Sequence, residues 1–277
     1  MLNKVLVLDR MLGGLESDIS DHYSDVNFSL IPHRPGRLFV LYWLLNNLKY
    51  AKEFTIVSCG GKWQLLWALI LLRNCRIYFP GVPDNWHLIL KLLNRINAGV
   101  SMMTCDLKTA EKTSAVYYSN YNKIVVKSNE TANRSIDIFL VGRNDKNKRF
   151  EEFVNSVLKV LPGLRIVHAG LPRLANKYVS AHGQLASNKL EESYLKSKIV
   201  CLPSLYESSP RVVQEALEKG CIVITTHVGN LRYMYLHRPI NTLEELVGYV
   251  IEVLGLSDKE RAAIYVEQLK QFNSFAK

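Results

Sequence analysis

One segment, Lys198 to Thr226, restricts the fold more than any other part of the chain. It begins with a short apolar run and ends with a run of β-branched residues. Between these runs, Val212, Val213, Ala216 and Leu217 recur at helical spacing. The segment therefore predicts a strand, a helix and a second strand.

The ends of this helix are marked by residues that favour helix termini. Ser209 is a good N-cap residue, and Pro210 suits the first helical position because its missing N–H is not needed there. Gly220 is a natural residue to follow a helix, because glycine accepts the left-handed conformation. The sequence therefore predicts a helix from about Ser209 to about Lys219.

Two glutamates lie around the predicted start of this helix. Glu207 precedes it and Glu215 lies roughly two turns inside it, with the backbone N–H groups of Ser209 and Arg211 between them. A helix N-terminus attracts anions, and carboxylates accept hydrogen bonds from sugar hydroxyls. The arrangement suits a nucleotide sugar. The alternative is a solvated loop residue at Glu207 and an i,i+4 pair between Glu215 and Arg211 or Lys219.

The segment YESSPRVVQEALEKGCIVITT resembles the E-x7-E segment of family 4 retaining glycosyltransferases. That resemblance implies the GT-B fold, an α/β architecture in which two Rossmann-like domains face each other across a cleft. It also implies that Glu215 binds the nucleotide ribose and that Glu207 contacts the donor sugar near the reacting carbon. Many members have a glycine-containing turn after the first glutamate, where this chain has Ser208.

A second segment, VGRNDKNKRF, resembles the G-R-x4-K motif of the same family. The resemblance implies that Arg143 and Lys148 neutralise the donor diphosphate. Arginine can fork across phosphate oxygens and lysine adds a movable point charge, so both help the nucleoside diphosphate to leave. Arg149 stands where the family usually has glycine. The alternative is a solvated basic turn.

The N-terminal half offers further candidates. A predicted strand, Lys4 to Leu8, leads into a turn in which Gly13 and Gly14 resemble the family's glycine-rich loop, whose backbone approaches the donor diphosphate. The resemblance also makes Asp84 and His87 candidates for a position near the reacting carbon. The alternatives are that Asp84 caps the next helix and that His87 is partly buried in its first turn.

Strands and helices alternate along the chain, as in Rossmann-like domains. The polar stretch Ser128 to Ser135 is a convincing linker, which predicts an N-terminal domain over residues 1–131 and a nucleotide-sugar-binding domain over residues 132–277. Lys123 to Lys127 is a candidate strand before the linker. By the same resemblance, the last helix, Lys259 to Phe275, crosses back to the first domain.

The predicted helix His87 to Asn97 carries Leu88, Leu92 and Ile96 at helical spacing, with basic residues nearby. Such a helix could present a basic amphipathic surface to anionic lipid. We expect instead that the apolar residues face the core and the charges are solvated.

The net charge of +10 suits a phosphorylated substrate or an anionic membrane, but its even spread without a dense basic run disfavours nucleic acid as a partner. The sequence shows neither an apolar run long enough to span a bilayer nor a signal peptide. We therefore expect a cytoplasmic protein, at most in peripheral contact with the inner face of a membrane.

The five cysteines lie mostly in or beside apolar runs, which predicts buried thiols and neither disulfides nor a zinc site.

These expectations combine into one functional hypothesis. The chain is expected to be a retaining hexosyltransferase that needs no metal or cofactor and uses a nucleotide diphosphate sugar as co-substrate. The acceptor would be a saccharide or a lipid-linked saccharide, in the synthesis of a bacterial surface polysaccharide. The alternative is a non-catalytic GT-B protein that binds a sugar nucleotide or a carbohydrate partner.

Overall fold

The structure is a computed structural model that describes residues 3–8, 19–20, 23, 25–31, 37–82, 84–97, 99–125 and 134–276. The chain divides into two compact units, Met1–Asn120 and Tyr121–Lys277. This division falls before the predicted boundary between residues 131 and 132, because the segment after Asn120 is bonded to the second unit. The hydroxyl of Tyr121 donates to the carbonyl of Pro210 (3.2 Å), and the amide of Ile124 donates to the side chain of Asn273 (2.8 Å).

The first unit contains a six-stranded parallel sheet. Its strands are β1 (Asn3–Val7), β2 (Val26–Leu30), β3 (Ile56–Ser58), β4 (Cys75–Phe79), β5 (Val100–Thr104) and β6 (Val116–Tyr117), in the order β2-β1-β3-β4-β5-β6. The helices are α1 (Arg37–Asn46), α2 (Leu48–Ala51), α3 (Lys62–Leu71), α4 (His87–Ile96) and α5 (Leu107–Thr113), and a 3-10 turn covers Asp84–Trp86. Parallel strands joined through helices give an α/β unit of the predicted class.

Side chains of the first sheet alternate between two cores, because successive residues of a strand point to opposite faces. Leu6, Val57 and Ile77 belong to one core, which also contains buried residues of α1, α3 and α4. The other core is formed by residues such as Val5 and Tyr78. The three helices therefore lie on the same face of the sheet.

The second unit contains a five-stranded parallel sheet. Its strands are β7 (Ile136–Val141), β8 (Ile166–Ala169), β9 (Val179–Gly183), β10 (Ser197–Leu202) and β11 (Ile222–Thr225), in the order β11-β10-β7-β8-β9. The helices are α6 (Phe150–Val160), α7 (Ser187–Leu195), α8 (Arg211–Glu218), α9 (Leu231–Met234), α10 (Leu243–Gly255) and α11 (Asp258–Phe275). Strands β7, β10 and β11 are adjacent, so their carboxyl ends meet at one edge of the sheet.

Helices cover both faces of this sheet, which explains its continuous apolar strands. Phe139 and Val141 of β7 pack into a core with residues of α7, α8 and α11, whereas Ile138 and Leu140 pack against α6 and α10. Every β7 residue except the half-buried Asp137 is buried. The second unit is therefore a doubly wound α/β domain, as predicted.

Several predicted elements are confirmed closely, and two interpretations were wrong. Lys123–Val125 is not a strand, because the backbone of Ile124 bonds to the side-chain amide of Asn273 instead of to a neighbouring strand. On α4 the residues Leu90 and Leu93 pack into the core, while Leu88, Leu92 and Ile96 are exposed. Helices α5 and α9 and strand β6 were not predicted from the sequence.

All five cysteines are buried, which confirms their expected burial. Within the part of the chain that the structure describes, none of the helices has both the length and the apolar character needed to cross a bilayer.

Candidate functional site

Three loops at the carboxyl edge of the second sheet form the candidate site. They follow the neighbouring strands β7, β10 and β11 and cover residues 142–149, 203–210 and 226–230. Ligands of parallel α/β sheets bind at this edge, outside the carboxyl ends of the strands. Arg143, Lys148 and Glu207 lie in these loops, and Glu215 lies on the helix that follows the second loop.

The first and second loops are joined by an ion pair between Lys148 and Glu207. The Nζ atom of Lys148 contacts Oε1 of Glu207, and the two side chains are only 14% and 12% exposed. Ser204 Oγ donates a second hydrogen bond, of 2.6 Å, to the same oxygen. An ammonium group carries three donors, so Lys148 has the capacity to bind a further anion beside Glu207.

Asn147 connects the same two loops through their backbones, a role that the sequence analysis missed. Its side-chain nitrogen donates to the carbonyl of Tyr206 and its side-chain oxygen accepts from the amide of Tyr206, both at 2.9 Å. Its own carbonyl accepts from the amide of Leu205 at 2.8 Å. These three bonds hold the Lys148 loop against the loop that carries Glu207.

Arg149 has a positive φ of 51°, in the left-handed region that favours glycine. This explains why the resemblance leads one to expect glycine at that position. The arginine side chain offsets part of the backbone cost, because its Nε donates a 2.9 Å hydrogen bond to the carbonyl of Pro203. Arg149 therefore acts as a further connection between the first two loops.

The third loop approaches the second closely at Gly229. A Cβ atom there would lie 1.8 Å from the carbonyl oxygen of Glu207, and φ is 53°, so both space and backbone conformation require glycine. Next to it, Asn230 donates from its amide to Ser208 O (2.9 Å) and from its side chain to Ser209 Oγ (3.1 Å). The loop that holds Glu207 is thus bonded on both sides.

The helix that follows the second loop is shorter than predicted. α8 begins at Arg211, with Pro210 as the N-cap residue, and it ends at Glu218. Ser209 is therefore not the N-cap, because the chain remains extended at Pro210, and Glu215 lies about one turn inside the helix instead of two. Gly220, with a φ of 74°, has the left-handed conformation predicted beyond the helix end.

The partner of Glu215 is a buried tyrosine on α7. The hydroxyl of Tyr194 donates a 2.7 Å hydrogen bond to Oε2 of Glu215, and the tyrosine is only 2% exposed. Burial, together with the charge of Glu215, raises the pKa of Tyr194 well above its usual value, so its hydroxyl stays protonated. No local sequence pattern indicates this contact, because Tyr194 precedes Glu215 by 21 positions on a different helix.

Arg143 differs from Lys148 in its exposure. Its side chain is 64% exposed, and Arg143 Nη2 lies 3.7 Å from Oδ2 of Asp145. Oδ1 of Asp145 accepts the backbone amides of Asn147 and Lys148, each at 3.1 Å, so this carboxylate stabilises the turn. An exposed pair at such a distance contributes little to stability, and the Arg143 guanidinium stands at the rim of the site.

Of the candidates in the first unit, only His87 has a described side chain. Gly13 and Gly14 lie outside the described residues, and Asp84 is described only as part of the 3-10 turn. His87 is the first residue of α4, is 8% exposed, and has Nε2 3.5 Å from Oγ1 of Thr109. This geometry matches the alternative of a buried first-turn residue, and a catalytic role for Asp84 or His87 stays a prediction.

The second unit matches a known family. Residues 135–253 match the model of the glycosyl transferases group 1 family. This part of the chain is a glycosyl transferases group 1 domain. The chain is therefore a glycosyltransferase, and the candidate site lies within the matched residues. No curated protein matches the sequence.

Solved structures with the same fold agree with this assignment. A UDP-forming α,α-trehalose-phosphate synthase from Burkholderia xenovorans, in complex with glucose-6-phosphate, gives a TM-score of 0.68 at 10% identity over 99% of this chain and 97% of that one. An E. coli structure described as trehalose-6-phosphate bound with UDP-2-fluoro glucose gives 0.66 at 12% identity over 99% and 97%. A variant of TarM from S. aureus, in complex with fondaparinux, α-GlcNAc-glycerol and UDP, gives 0.62 at 13% identity over 88% and 57%. The glycosyltransferase has the GT-B fold, as the resemblance implied.

Proposed function

We propose that this glycosyltransferase moves a hexose from a nucleotide diphosphate sugar to a saccharide or a lipid-linked saccharide, with retention of configuration and without a metal ion. The observation that carries the proposal is the largely buried contact of Lys148 with Glu207 at the carboxyl edge of the second sheet. A cation and a carboxylate side by side suit a ligand in which phosphate adjoins a sugar with free hydroxyls. Arg143 lies in the same loop as Lys148, and Glu215 lies on the helix that follows the loop of Glu207.

Each part of the donor has a protein group suited to it. Glu215, held by Tyr194, would accept hydrogen bonds from the ribose hydroxyls, and Glu207 would accept them from the hexose. The diphosphate would lie between them, against Arg143, Lys148 and the amides at the start of α8, where Ser209 and Arg211 flank Pro210. The proposed roles of Gly13, Gly14, Asp84 and His87 rest on the resemblance alone.

The same charges would assist the reaction. When the bond between the anomeric carbon and the phosphate oxygen breaks, its electron pair passes to the departing nucleoside diphosphate. The acceptor hydroxyl oxygen forms the new bond on the same face of the sugar and transfers its proton to that leaving group. Arg143 and Lys148 would stabilise the negative charge as it develops, which removes the need for a divalent cation. Retention is supported by the family 4 resemblance and by a similar trehalose-6-phosphate synthase studied for glycosyltransfer with retention.

The similar structures also favour particular substrates. Two of them contain UDP or UDP-2-fluoro glucose, and one contains glucose-6-phosphate. We therefore propose a UDP-hexose as the first donor to test. We also propose that the reaction takes place in the cytoplasm, at the inner face of a membrane in contact with anionic lipid, in the synthesis of a bacterial surface polysaccharide.

A screen of donors and acceptors with product analysis tests this proposal. The full chain is incubated with each nucleotide diphosphate hexose and with saccharide or lipid-linked saccharide acceptors, and the products are analysed for mass and anomeric configuration. We expect a glycosylated product with the configuration of the donor. Donor binding without turnover under any pairing would instead favour the non-catalytic alternative.

A further inference from the structure

The first unit presents an unusual outer surface on three of its helices. Val40 of α1, Leu65 of α3 and Leu90 of α4 are buried in one core against a single face of the sheet. The opposite sides of these helices therefore point away from the sheet. We call this outer side, together with the neighbouring α2, the α1–α4 surface.

The α1–α4 surface is rich in large apolar side chains that nothing in the described structure covers. On α1, the exposed residues Leu38, Tyr42 and Leu45 share one face, because they are spaced by four and three positions. Leu38 is 76% exposed. On α4 the residues Leu88, Leu92 and Ile96, spaced by four, share a face, and Ile96 is 79% exposed. The other exposed apolar residues of the surface are Tyr50, Ile70 and Ile89.

The charges on these helices all have one sign. The sequences of α1, α2, α3 and α4 contain no aspartate or glutamate, and their charged residues are Arg37, Lys49, Lys62, Lys91 and Arg95. Lys49 and Arg95 are exposed, and Lys91 is half-buried beside the exposed leucines of α4. Glu53, which follows α2, forms an ion pair with Lys4. Exposed apolar groups are thus interleaved with basic groups on helices whose sequences contain no acidic residue.

The combination of exposed apolar and basic side chains favours one kind of binding partner for this surface over others. A second copy of the chain would bring the same positive charges into contact with each other, and like charges facing each other oppose association. An anionic bilayer satisfies both features, because leucine and isoleucine side chains enter the boundary between headgroups and acyl chains while lysine and arginine reach the phosphates. Tyrosines such as Tyr42 and Tyr50 favour the headgroup level.

We infer that the α1–α4 surface docks this glycosyltransferase onto an anionic membrane. The inference rests on the proposed function and specifies which surface makes the proposed membrane contact. Docking through this surface would bring the enzyme to a lipid-linked acceptor. It assigns the contact to the first unit, whereas Lys148, Glu207 and Glu215 lie in the second. Lys91 and Arg95 supply attraction to lipid phosphates, and the α4 leucines supply burial.

Co-sedimentation of the full chain with vesicles tests this inference. One set of vesicles contains phosphatidylcholine alone, and the other also contains phosphatidylglycerol. We expect binding to the anionic vesicles that weakens as salt is added, because salt screens exposed charges. Since each basic residue near such a surface contributes roughly fivefold in affinity, the double variant Lys91→Glu with Arg95→Glu should lose at least about 25-fold.

A second variant tests the apolar part of the surface, and matched controls come from the second unit. Leu88→Ser with Leu92→Ser should also weaken binding by about tenfold or more, since each leucine side chain would bury several carbon atoms. The charge control is Lys259→Glu with Lys270→Glu on α11, and the apolar control is Val266→Ser on the same helix; all three residues are exposed. We expect both controls to bind anionic vesicles as the wild type does.

Several outcomes would overturn the inference. These are a wild-type protein that stays in solution with anionic vesicles, equal binding to both kinds of vesicle, or α4 variants that bind like the wild type. A wild-type dimer that the α4 variants convert to monomers, with no vesicle binding, would assign the surface to a second copy. Thermal midpoints and UDP affinity near those of the wild type show that the variants are folded.

The same variants separate this inference from the proposed function. Transfer to a water-soluble acceptor should remain at the wild-type rate in the α4 variants, because their residues lie outside the donor site. If transfer occurs and vesicle binding does not, the docking inference fails alone. If vesicle binding occurs and no donor is ever turned over, the proposed function fails alone.

Discussion

The hydroxyl of Tyr194 donates a 2.7 Å hydrogen bond to Oε2 of Glu215. The tyrosine ring is itself fixed, because it packs edge-on against Phe139 of β7, with ring centroids 5.2 Å apart. A carboxylate held by a buried hydroxyl loses fewer rotamers when it binds a ligand, which lowers the entropic cost of binding. Tyr194 is thus a positioning residue for the proposed ribose contact.

Tyr194→Phe should weaken the binding of UDP by roughly 0.5–1.5 kcal/mol, the net value of one hydrogen bond. The phenyl ring keeps the packing against Phe139, so the loss should come from the orientation of Glu215. Isothermal titration calorimetry of the variant measures the change. Tyr178→Phe, at an exposed position of the same domain, is the control and should bind as the wild type does. An unchanged affinity in Tyr194→Phe would remove the positioning role.

Glu215→Ala should weaken nucleotide binding by about 1.5–3 kcal/mol, because a charged acceptor of ribose hydroxyls is lost. Calorimetry with UDP and with uridine should show a similar loss for both ligands, since the ribose is common to them. Glu218→Ala provides the control, because this glutamate is exposed on the same helix. If the two variants bind alike, Glu215 is not the ribose ligand.

Most strands and helices of the second domain could be predicted, because they have strong local signals. An unbroken apolar run predicts a strand over Ile136 to Val141, and a clear helical period predicts a helix over about Phe150 to Val160. Strand β7 and helix α6 have these ends. The prediction that Leu88, Leu92 and Ile96 of α4 face the core was wrong. Periodicity shows that a helix has an apolar face, but it cannot show what that face contacts. The isolated Asn273 that binds Ile124 lies 149 positions away in sequence, beyond any local pattern.

Only the part of the candidate site that lies in local sequence motifs could be predicted. Arg143, Lys148, Glu207 and Glu215 stand in motifs with a fixed spacing, so the resemblance could identify them, and the fold brings their loops to one edge of one sheet. The side chains that support them could not be found, because their contacts depend on which strands are neighbours. Asn147 bonds to a loop 59 positions further along the chain, and Tyr194 reaches Glu215 from another helix.

His168 makes stability depend on pH. It is fully buried at the end of β8, with Nε2 3.1 Å from the carbonyl oxygen of Gly142 and Nδ1 accepting from the amide of Leu174 at 3.4 Å. Burial lowers the pKa of His168 below its usual 6.5. As the pH falls, the unfolded chain therefore takes up this proton before the folded chain does. The contribution of His168 to the free energy of unfolding is constant above about pH 6.5 and falls as the pH drops from 6.5 through the folded-state pKa.

We expect His168→Gln, which can still donate and accept, to reduce this loss by up to about 1.4 kcal/mol per pH unit. The measurement is the free energy of unfolding in urea, for both proteins, from neutral pH to about pH 5. The pKa values of His227 and His237 are also lowered, chiefly by burial, but both histidines are present in both proteins, so their contributions cancel. Parallel pH profiles would show that His168 does not contribute.

Transfer should proceed without a divalent cation, because Arg143 and Lys148 supply the positive charge that the departing diphosphate requires. The initial rate is measured in EDTA and again after magnesium or manganese is added in excess. We expect rates that agree within about twofold, since added salt also screens charge. Complete loss of turnover in EDTA, restored by either metal, would show that a cation performs this role.

The transfer rate of Lys148→Ala tests the central claim most directly, because this lysine joins the proposed diphosphate site to Glu207. It is measured with a nucleotide diphosphate hexose and an acceptor identified by the screen, beside the exposed Lys146→Ala of the same loop as control. Lys148→Ala should lower kcat by about a hundredfold or more, the usual cost of one group that stabilises developing charge. Its affinity for the bare nucleoside should change little, and Lys146→Ala should match the wild type. A Lys148→Ala protein that transfers the hexose at the wild-type rate would contradict the account.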